Sequence, residues 1–326
     1  MANSVNIKQA LMQKFLFSIL ICYLSIGTVL AENILVVRGK SSAFEEVTKG
    51  MSDDLEGEFE ISQLIIDNAS SPNEIKKSFD KSPPSLVVLM GNKAVNLYGK
   101  FQAESKNKSF PPAIAVAALF IDKFISNIEN ATAIRYEIPA VTSAVAMRSI
   151  LGKPINKIGV IYREWMTDII NENKRFCEAE GIELVGIKLP NKVSDTDKEV
   201  KNALAQLSKQ VDAIWILNDN NLLTRDALAK AWLPSRTKSK LPAIVGVKIF
   251  LQKIPLGSFA IVPDDYGMGA QLAGIIFEVQ DNDWELDSGN IMQPYSVKKF
   301  VNLSTLKNKG IAYIENQLRQ VDEIVK

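Results

Sequence analysis

The 326-residue sequence contains no histidine and only two cysteines. Histidine is the commonest general base and the commonest metal ligand, so its absence excludes a Ser/His/Asp triad and the usual zinc sites. The sequence also lacks the Gly-x-Gly-x-x-Gly turn of dinucleotide-binding proteins, the Gly-x-x-x-x-Gly-Lys-Ser/Thr phosphate loop and the Gly-x-Ser-x-Gly elbow of hydrolases. We therefore expect no metal, no cofactor and no enzymatic activity.

The chain contains nearly equal numbers of basic and acidic residues, 38 and 37. A nucleic-acid-binding protein needs a basic field to attract phosphates, and this balance argues against one. Hydrophobic residues make up 47% of the sequence and charged residues 23%, as in ordinary globular proteins. The length suffices for two domains, and we expect a monomer that binds a small molecule and no nucleic acid.

The N-terminal segment differs from the rest of the chain. Lys8 and Lys14 precede an apolar run over 15–30 that closes in a Val-Leu-Ala sequence. This order of basic, apolar and small residues is typical of a cleaved secretory signal peptide, here over 1–31. Export to the periplasm would leave Cys177 as the single thiol, without a partner for an internal disulfide. The alternative is an apolar anchor that is never cleaved, although the run is short for a membrane span.

Beyond this segment, short apolar runs alternate with amphipathic helical patterns in two successive units. Continuous apolar runs such as "SLVVLM" and "KIGVIY" are typical of strands covered on both faces, and their alternation with helices predicts parallel sheets. The predicted fold class is α/β, with two Rossmann-like lobes. We also predict a connector over 131–137 and a charged amphipathic helix over 311–326. The predicted strands lie at 34–37, 60–66, 85–90, 112–119, 157–162, 182–188, 211–217, 242–247 and 258–262.

Polar or otherwise distinctive residues follow many of these strands. In open parallel α/β sheets, ligands bind outside the carboxyl ends of the strands, and two facing lobes would direct those ends into one cleft. Each cluster taken alone is also what an ordinary strand-to-helix turn uses, so the hypothesis of a binding cleft depends on their number. The candidate ligand-binding residues at the strand ends are Arg38, Ser41, Ser42, Gly91, Asn92, Tyr162, Arg163, Trp165, Asp219, Asn220 and Lys248.

The chemistry of these side chains suggests separate roles in the cleft. Asp219 is expected to hold an ammonium group of a small zwitterion. Arg163 or Arg38 is expected to hold a carboxylate through paired hydrogen bonds. Trp165 or Tyr162 is expected to stack on an apolar part of the solute.

Three segments of the C-terminal half resemble a known family. They read "KIGVIYREWMTDIINENKRFCEAEGIELV", "LAQLSKQVDAIWILNDNNLLTRDAL" and "LPAIVGVKIFLQKIPLGSFAIVPDDYGMGAQLAGIIFEV". In this order and spacing they are similar to the ABC-transporter substrate-binding proteins of the tryptophan/tyrosine-type family. A strand of that family ends in Asp-Asn, as Asp219 and Asn220 do here, and a later motif matches Asp265, Tyr266 and Gly267. The resemblance covers about half of the chain, and the N-terminal half agrees in pattern only.

The resemblance implies the type I periplasmic-binding fold, in which a hinge with three crossings joins two lobes around a solute. It also implies a membrane permease as the partner. Asp219 and Asn220 would face the ligand, Tyr162 would line the second lobe, and Asp265 and Tyr266 would lie near a hinge crossing. The implied lobes are 32–137 with 264–290, and 138–263 with 291–326, the second including the predicted C-terminal helix.

Two segments depart from the family pattern, "RGKSSAF" after the first strand and "VGVKIF" near Lys248. Both are expected to touch ligand, so the solute of the family cannot be transferred to this chain. The leading hypothesis is a periplasmic solute-binding component of an ABC importer, with a small, amino-acid-like solute. Two alternatives stay open, namely a sensing module that reports to a membrane signalling protein and an exported hydrolase that uses carboxylates alone.

Overall fold

The computed structural model describes residues 32–105, 109–287 and 289–325, so the expected signal peptide lies outside the described residues. The chain forms two α/β lobes, each built on one sheet. The elements of the first lobe are β1 (Glu32–Arg38), α1 (Ser42–Asp54), β2 (Phe59–Ile65), α2 (Pro72–Lys81), β3 (Leu86–Met90), α3 (Gly91–Glu104), β4 (Ala113–Val116) and β5 (Ala131–Ile134).

The second lobe follows the same alternation of strands and helices. A π-helical turn (Leu228–Trp232) joins Arg225–Ala227 to Leu233–Lys238 as one continuous helix, α7. The other elements are α4 (Ala140–Leu151), β6 (Lys157–Arg163), α5 (Thr167–Ala179), β7 (Glu183–Leu189), α6 (Thr196–Leu207), β8 (Ala213–Ile216), β9 (Ala243–Val245), α8 (Ile249–Gln252) and β10 (Phe259–Pro263).

The last part of the chain contributes to both lobes. Its elements are α9 (Asp265–Asp281), β11 (Ile291–Met292), β12 (Val297–Asn302), α10 (Leu303–Asn308) and β13 (Glu323–Val325). Among the helices in the described ranges, none is long and apolar enough to cross a membrane.

Both sheets are mainly parallel. The first has the order β11-β5-β4-β3-β1-β2 with every pair parallel, and the second has the order β13-β12-β10-β9-β8-β6-β7 with only β10 and β12 antiparallel. The central strands β3, β4 and β8 are buried along their whole length. Helices α1 and α9 cover one face of the first sheet, and α2 and α3 cover the other. This burial on both faces explains why the strands read as continuous apolar runs.

The chain passes between the two sheets three times. The first crossing runs through 135–139 from β5 to α4, the second passes Asp264 between β10 and α9, and the third runs through 293–296 from β11 to β12. Each crossing leaves the carboxyl end of a strand, so the carboxyl ends of both sheets face each other. The sequence placed the third crossing at residue 291, but Ile291–Met292 pairs with β5 in the first sheet, and the chain leaves that sheet only afterwards.

Two sequence predictions about secondary structure are wrong. The predicted connector contains a strand, β5, whose four residues are buried beside β4. The predicted C-terminal helix is a 3₁₀ segment (Glu315–Gln320) followed by β13. The Asp322 carboxylate accepts a hydrogen bond of 2.7 Å from the backbone N–H of Lys299, which aligns the chain with the edge of β12. Pairing with an open sheet edge therefore prevails over the helical stripe in the sequence.

Helices α1 and α9 cross in direct backbone contact. A β-carbon at Gly50 would lie 2.1 Å from the Tyr266 carbonyl oxygen, and one at Gly269 would lie 2.2 Å from the Val47 carbonyl oxygen. Within "YGMGAQLAG", Gly269 therefore serves close packing between the two helices. This contact anchors α9 to the first lobe directly after the second crossing.

Candidate functional site

A ring contact and an ion pair are among the contacts that bridge the lobes at the facing strand ends. The ring of Phe120, from the loop after β4, meets the ring of Trp165 edge-on, with centroids 5.2 Å apart. The Lys123 ammonium lies 2.8 Å from the Asp168 carboxylate at the start of α5. Trp165 was predicted from the sequence, whereas Phe120 was not, because "AALFIDKF" is typical of the end of a strand followed by a loop. An aromatic pair thus joins the two lobes where their strand ends face each other.

Arg163 and Asp219 pair with each other at the ends of β6 and β8. Arg163 Nε donates to Asp219 Oδ2 at 2.7 Å, and Nη2 donates to Oδ1 at 2.9 Å. Nη1 donates to the Asn191 carbonyl oxygen at 3.0 Å. With its amide oxygen toward the guanidinium, the Asn221 side chain accepts from both Nη1 and Nη2 at 3.0 Å. All five donors of the guanidinium are therefore used within the second lobe.

This pairing changes the roles expected from the sequence. Asp219 is 2% exposed, and both of its carboxylate oxygens already accept from Arg163. In this structure the two residues form one unit rather than separate contacts for an ammonium and a carboxylate. The unit supports Trp165, since the Arg163 guanidinium lies 5.6 Å from the Trp165 ring centroid. Asn220 is exposed beside the pair.

The strand ends of the first lobe carry groups with free hydrogen-bonding capacity. Arg38 Nε donates to Gln63 at 2.9 Å and Nη1 donates to the Gly39 carbonyl oxygen, which leaves Nη2 without a partner among the described residues. Ser41 precedes α1 in extended conformation, and its side chain does not cap the helix. Ser42 is exposed. The first turn of α1 thus directs backbone N–H groups toward the facing lobe, where they favour an anion.

Gly91 allows an aromatic ring to approach the ends of β1 and β3. Its φ is +82°, and a β-carbon there would lie 2.8 Å from Cζ of Phe44. The Phe44 ring therefore rests on the backbone of Gly91 and close to Gly39. Only glycine meets both conditions, the left-handed backbone and the close ring.

The loop after β4 is held by side chains from two neighbouring elements. The Asn92 amide donates to the Leu119 carbonyl oxygen at 2.7 Å and accepts from the Leu119 N–H at 2.8 Å. Glu137 Oε1 accepts from the Phe120 N–H at 3.0 Å. Ala117 and Phe120 adopt left-handed φ values of 53° and 54°, which cost energy for residues with a β-carbon. Asn92, predicted to contact ligand, is committed instead to this loop.

Glu137 is a buried carboxyl in the first crossing that the sequence analysis missed. Burial raises its pKa to about 7, against an ordinary value of 4.5, and the nearby Asp122 carboxylate acts in the same direction. The Glu137 Oε2 atom is buried and has no hydrogen-bond partner in the described part of the chain. A small crevice beside it is lined by Phe120, Arg135 and Trp215. The first crossing therefore carries a group that changes charge near neutral pH.

Asn218 is a second missed residue. Its Oδ1 is buried without a hydrogen-bond partner among the described residues, and its amide lies against Gly246 at the end of β9. A β-carbon at Gly246 would lie 2.6 Å from Asn218 Nδ2, so the glycine makes room for the amide. A buried acceptor without a hydrogen bond lowers the stability of the fold unless a ligand or another group donates to it. The family resemblance selected Asp219 and Asn220 from the four-residue polar cluster, and no sequence signal pointed to Asn218.

Three predicted residues are committed elsewhere. The Tyr162 ring packs in the core over Gly186. The Lys248 ammonium pairs with Glu323 Oε2 at 2.5 Å, which fastens β13 to the second lobe.

Tyr266 lies beside the second crossing, but its hydroxyl donates to Asp53 on the outer side of α1 at 2.9 Å. Its neighbour Asp265 is partly buried, and burial, followed by the Asp264 carboxylate, raises the Asp265 pKa to about 6. Across 32–105, 109–287 and 289–325, no group of three or more cysteine, aspartate or glutamate side chains is arranged to hold a metal ion.

No family model and no curated protein matches the sequence. The fold is nevertheless similar to several solved structures. A ligand-free, open substrate-binding protein with adhesive properties from Clostridium difficile aligns with a TM-score of 0.66 at 13% identity, over 90% of this chain and 99% of that one. An ABC domain from Streptococcus pneumoniae in complex with L-Trp aligns with a TM-score of 0.58 at 18% identity, over 90% and 100% of the two chains. A conserved domain protein from Vibrio cholerae gives a TM-score of 0.58 at 16% identity, over 91% and 100%.

Similarity at these identities establishes the fold. The chain has the type I periplasmic-binding fold, with two α/β lobes and mostly parallel sheets, and the predicted fold class is confirmed. Its structural neighbours include a substrate-binding protein and a leucine-binding protein. The narrower resemblance to the tryptophan/tyrosine-type family stays a prediction.

Proposed function

We propose that the protein is the periplasmic solute-binding component of an ABC importer, and that it holds a small, amino-acid-like solute between its lobes before a membrane permease receives it. The observation that carries this proposal is the aromatic pair Phe120–Trp165, which spans two facing sets of strand ends. An aromatic face from each lobe, with polar groups around it, suits a solute that has an apolar part and charged ends.

The charged ends of such a solute find different partners on the two lobes. A carboxylate fits the first lobe, where Arg38 Nη2 and the uncapped first turn of α1 supply donors. An ammonium fits the second lobe, where Asn218 Oδ1 is an unused acceptor and Asn220 is exposed. Arg163 and Asp219 position Trp165 and do not themselves bind the solute, because Asp219 is buried and the Arg163 donors are used within the second lobe.

A calorimetric screen of the amino acids against the purified protein tests this proposal. We expect at least one amino acid to bind, and we expect Trp165→Ala to weaken that binding by tenfold or more, because stacking on the ring is lost. The matched control is Tyr313→Ala, which removes a half-buried aromatic ring of the second lobe next to Ile314, whose N–H bonds to Ile150 near the end of α4. We expect this control to bind as the wild type does.

Native mass spectrometry of the protein as purified provides an independent measurement, since tight binders retain their solute. A folded protein that binds none of the amino acids and carries no small molecule would contradict the proposed solute class. Equal weakening by Trp165→Ala and Tyr313→Ala would contradict the proposed site, since the loss would then be a general effect on the second lobe.

A further inference from the structure

A hollow on the outer end of the second lobe is lined by basic residues. It lies between the second halves of α6 and α7 and the loop that leads into β9, at the opposite end of the sheet from the cleft. Among the described residues, its lining includes no aspartate or glutamate. We call it the outer basic hollow, and its cations are Lys201, Arg236, Lys238 and Lys240.

Arg236 is a buried cation with uncharged partners. It is 2% exposed, and its guanidinium donates to the Leu241 carbonyl oxygen at 2.6 Å, the Leu256 carbonyl oxygen at 3.3 Å and Ser239 Oγ at 3.5 Å. Burial lowers its pKa to about 10, which reflects the missing counter-charge. Buried arginines are rare unless an anion pairs with them.

A second cation, Lys309, lies behind the loop that leads into β9. The Lys309 ammonium donates to the carbonyl oxygens of Arg236 and, at 2.7 Å, of Ser239. Burial and the positive charge of Arg236 lower its pKa to about 8. Two desolvated positive charges thus stand next to each other, and neither has a carboxylate partner in the described part of the chain.

The carbonyl groups at the end of α7 account for only some of this charge. Basic side chains commonly bind the last carbonyls of a helix, and Lys309 does so for α7. Lys201 lies in the middle of α6, so the end of a helix does not explain it, and Lys240 lies two residues beyond the last residue of α7, Lys238. On the same helix α7, Lys230 forms an ion pair with Asp226, whereas the exposed lysines of the hollow have no acidic partner among the described residues.

We propose that the outer basic hollow binds an oxyanion of the phosphate class, either free or as the headgroup of an anionic lipid. The three exposed ammonium groups would surround the oxyanion, and Arg236 beneath them adds the positive potential that water screens least. Ser239 supports this assignment, because its oxygen already accepts from Arg236 and from the Leu241 N–H at 3.1 Å, which leaves its hydroxyl proton to donate.

The test uses the full chain and a double variant, Lys238→Gln/Lys240→Gln, with Lys230→Gln as the control on the same helix. Inorganic phosphate is compared with chloride at equal ionic strength by thermal unfolding. Co-sedimentation is measured with vesicles of phosphatidylcholine alone and with vesicles that also contain phosphatidylglycerol. All three substituted lysines are exposed, so the variants should fold as the wild type does.

We expect phosphate to raise the melting temperature of the wild type and of Lys230→Gln, and to raise that of the double variant by less than half as much. This result identifies free phosphate as the ligand. If phosphate has no effect, but binding to the anionic vesicles falls at least fivefold in the double variant relative to Lys230→Gln, the headgroup is the source. Equal responses of the double variant and the control in both measurements, or no response at all, would overturn the proposal. Neither result depends on a solute in the cleft.

Discussion

Arg163 and Asp219, which are 56 residues apart in the sequence, meet through two hydrogen bonds of 2.7 and 2.9 Å at the strand ends of the second lobe. The carboxylate is almost fully buried, and the Asp219 Oδ1 atom also accepts from the Asn221 N–H at 2.9 Å. Such a pair fixes the ends of β6 and β8 relative to each other. It also determines the position of Trp165 in the cleft.

Removal of either residue of the Arg163–Asp219 pair should destabilise the protein, even when no solute is bound. Asp219→Ala leaves the Arg163 guanidinium, whose side chain is 12% exposed, without its carboxylate, and we expect a loss of about 3 kcal/mol in the free energy of unfolding. The control is Asp226→Ala, which breaks the exposed pair with Lys230 and should cost less than about 1 kcal/mol. Urea unfolding of the solute-free protein measures both.

The double variant Arg163→Ala/Asp219→Ala should lose less than the sum of the two single variants, because no unpaired charge is left. Unchanged stability of Asp219→Ala would show that the carboxylate is available to a solute, as the sequence alone suggested.

Two glycines in α9 provide a matched comparison. Gly269→Ala would place a β-carbon 2.2 Å from the Val47 carbonyl oxygen, so the crossing with α1 must open, and we expect a loss of at least about 2 kcal/mol. Gly274 lies on the exposed side of the same helix, where a β-carbon meets no atom within 4 Å. Gly274→Ala should therefore stabilise the protein by about 0.5–1 kcal/mol through helix propensity. Thermal and urea unfolding measure both changes, and a neutral Gly269→Ala would contradict the close crossing.

Glu137 should make the stability depend on pH. Its pKa of about 7 in the folded protein exceeds the ordinary value of 4.5, so between these values the folded state binds more protons than the unfolded state. The free energy of unfolding should therefore decrease as the pH rises from about 4.5 to about 7, by about 3 kcal/mol from this group. Burial is the main cause, with Asp122 opposing ionisation and Arg135 favouring it.

Glu137→Gln is the matched variant, because its amide oxygen can still accept from the Phe120 N–H while carrying no charge. The difference in stability between wild type and variant, measured by urea unfolding at pH 5 and pH 8, should favour the variant more at pH 8. A difference that stays constant across this range would show that Glu137 titrates at its ordinary pKa.

The sequence predicted the two sheets well, because their strands are buried on both faces and therefore read as uninterrupted apolar runs. It failed at β5, where four residues of "ATAI" are too few to show a period, and their burial comes from β4 and β11 beside them. It failed again at 311–326, where a helical stripe competes with the open edge of β12.

In the candidate site, the sequence predicted where residues lie but not which residues contact each other. Local sequence identified Arg163, Trp165 and Asp219 at the correct strand ends, since strand ends are a local property. It did not show that Arg163 and Asp219 pair with each other, because that depends on the order of β6 and β8 in the sheet. Glu137 escaped notice for the same reason, since its burial and raised pKa arise only when the loop after β4 folds over it.

The three crossings are not independent connections. The Asp264 N–H donates to the Ser296 carbonyl oxygen at 3.0 Å, and the Asp264 carboxylate pairs with the Lys298 ammonium at 2.7 Å, so the second and third crossings are bonded into one strip. A backbone hydrogen bond of 2.8 Å, from the Arg135 N–H to the Met292 carbonyl oxygen, attaches the first crossing to the start of the third. The first crossing and the bonded strip are thus two points of attachment between the lobes. A rigid lobe that is attached at two points can rotate only about the axis that joins them. We therefore expect hinge motion about a single axis, in which Trp165 moves toward and away from Phe120.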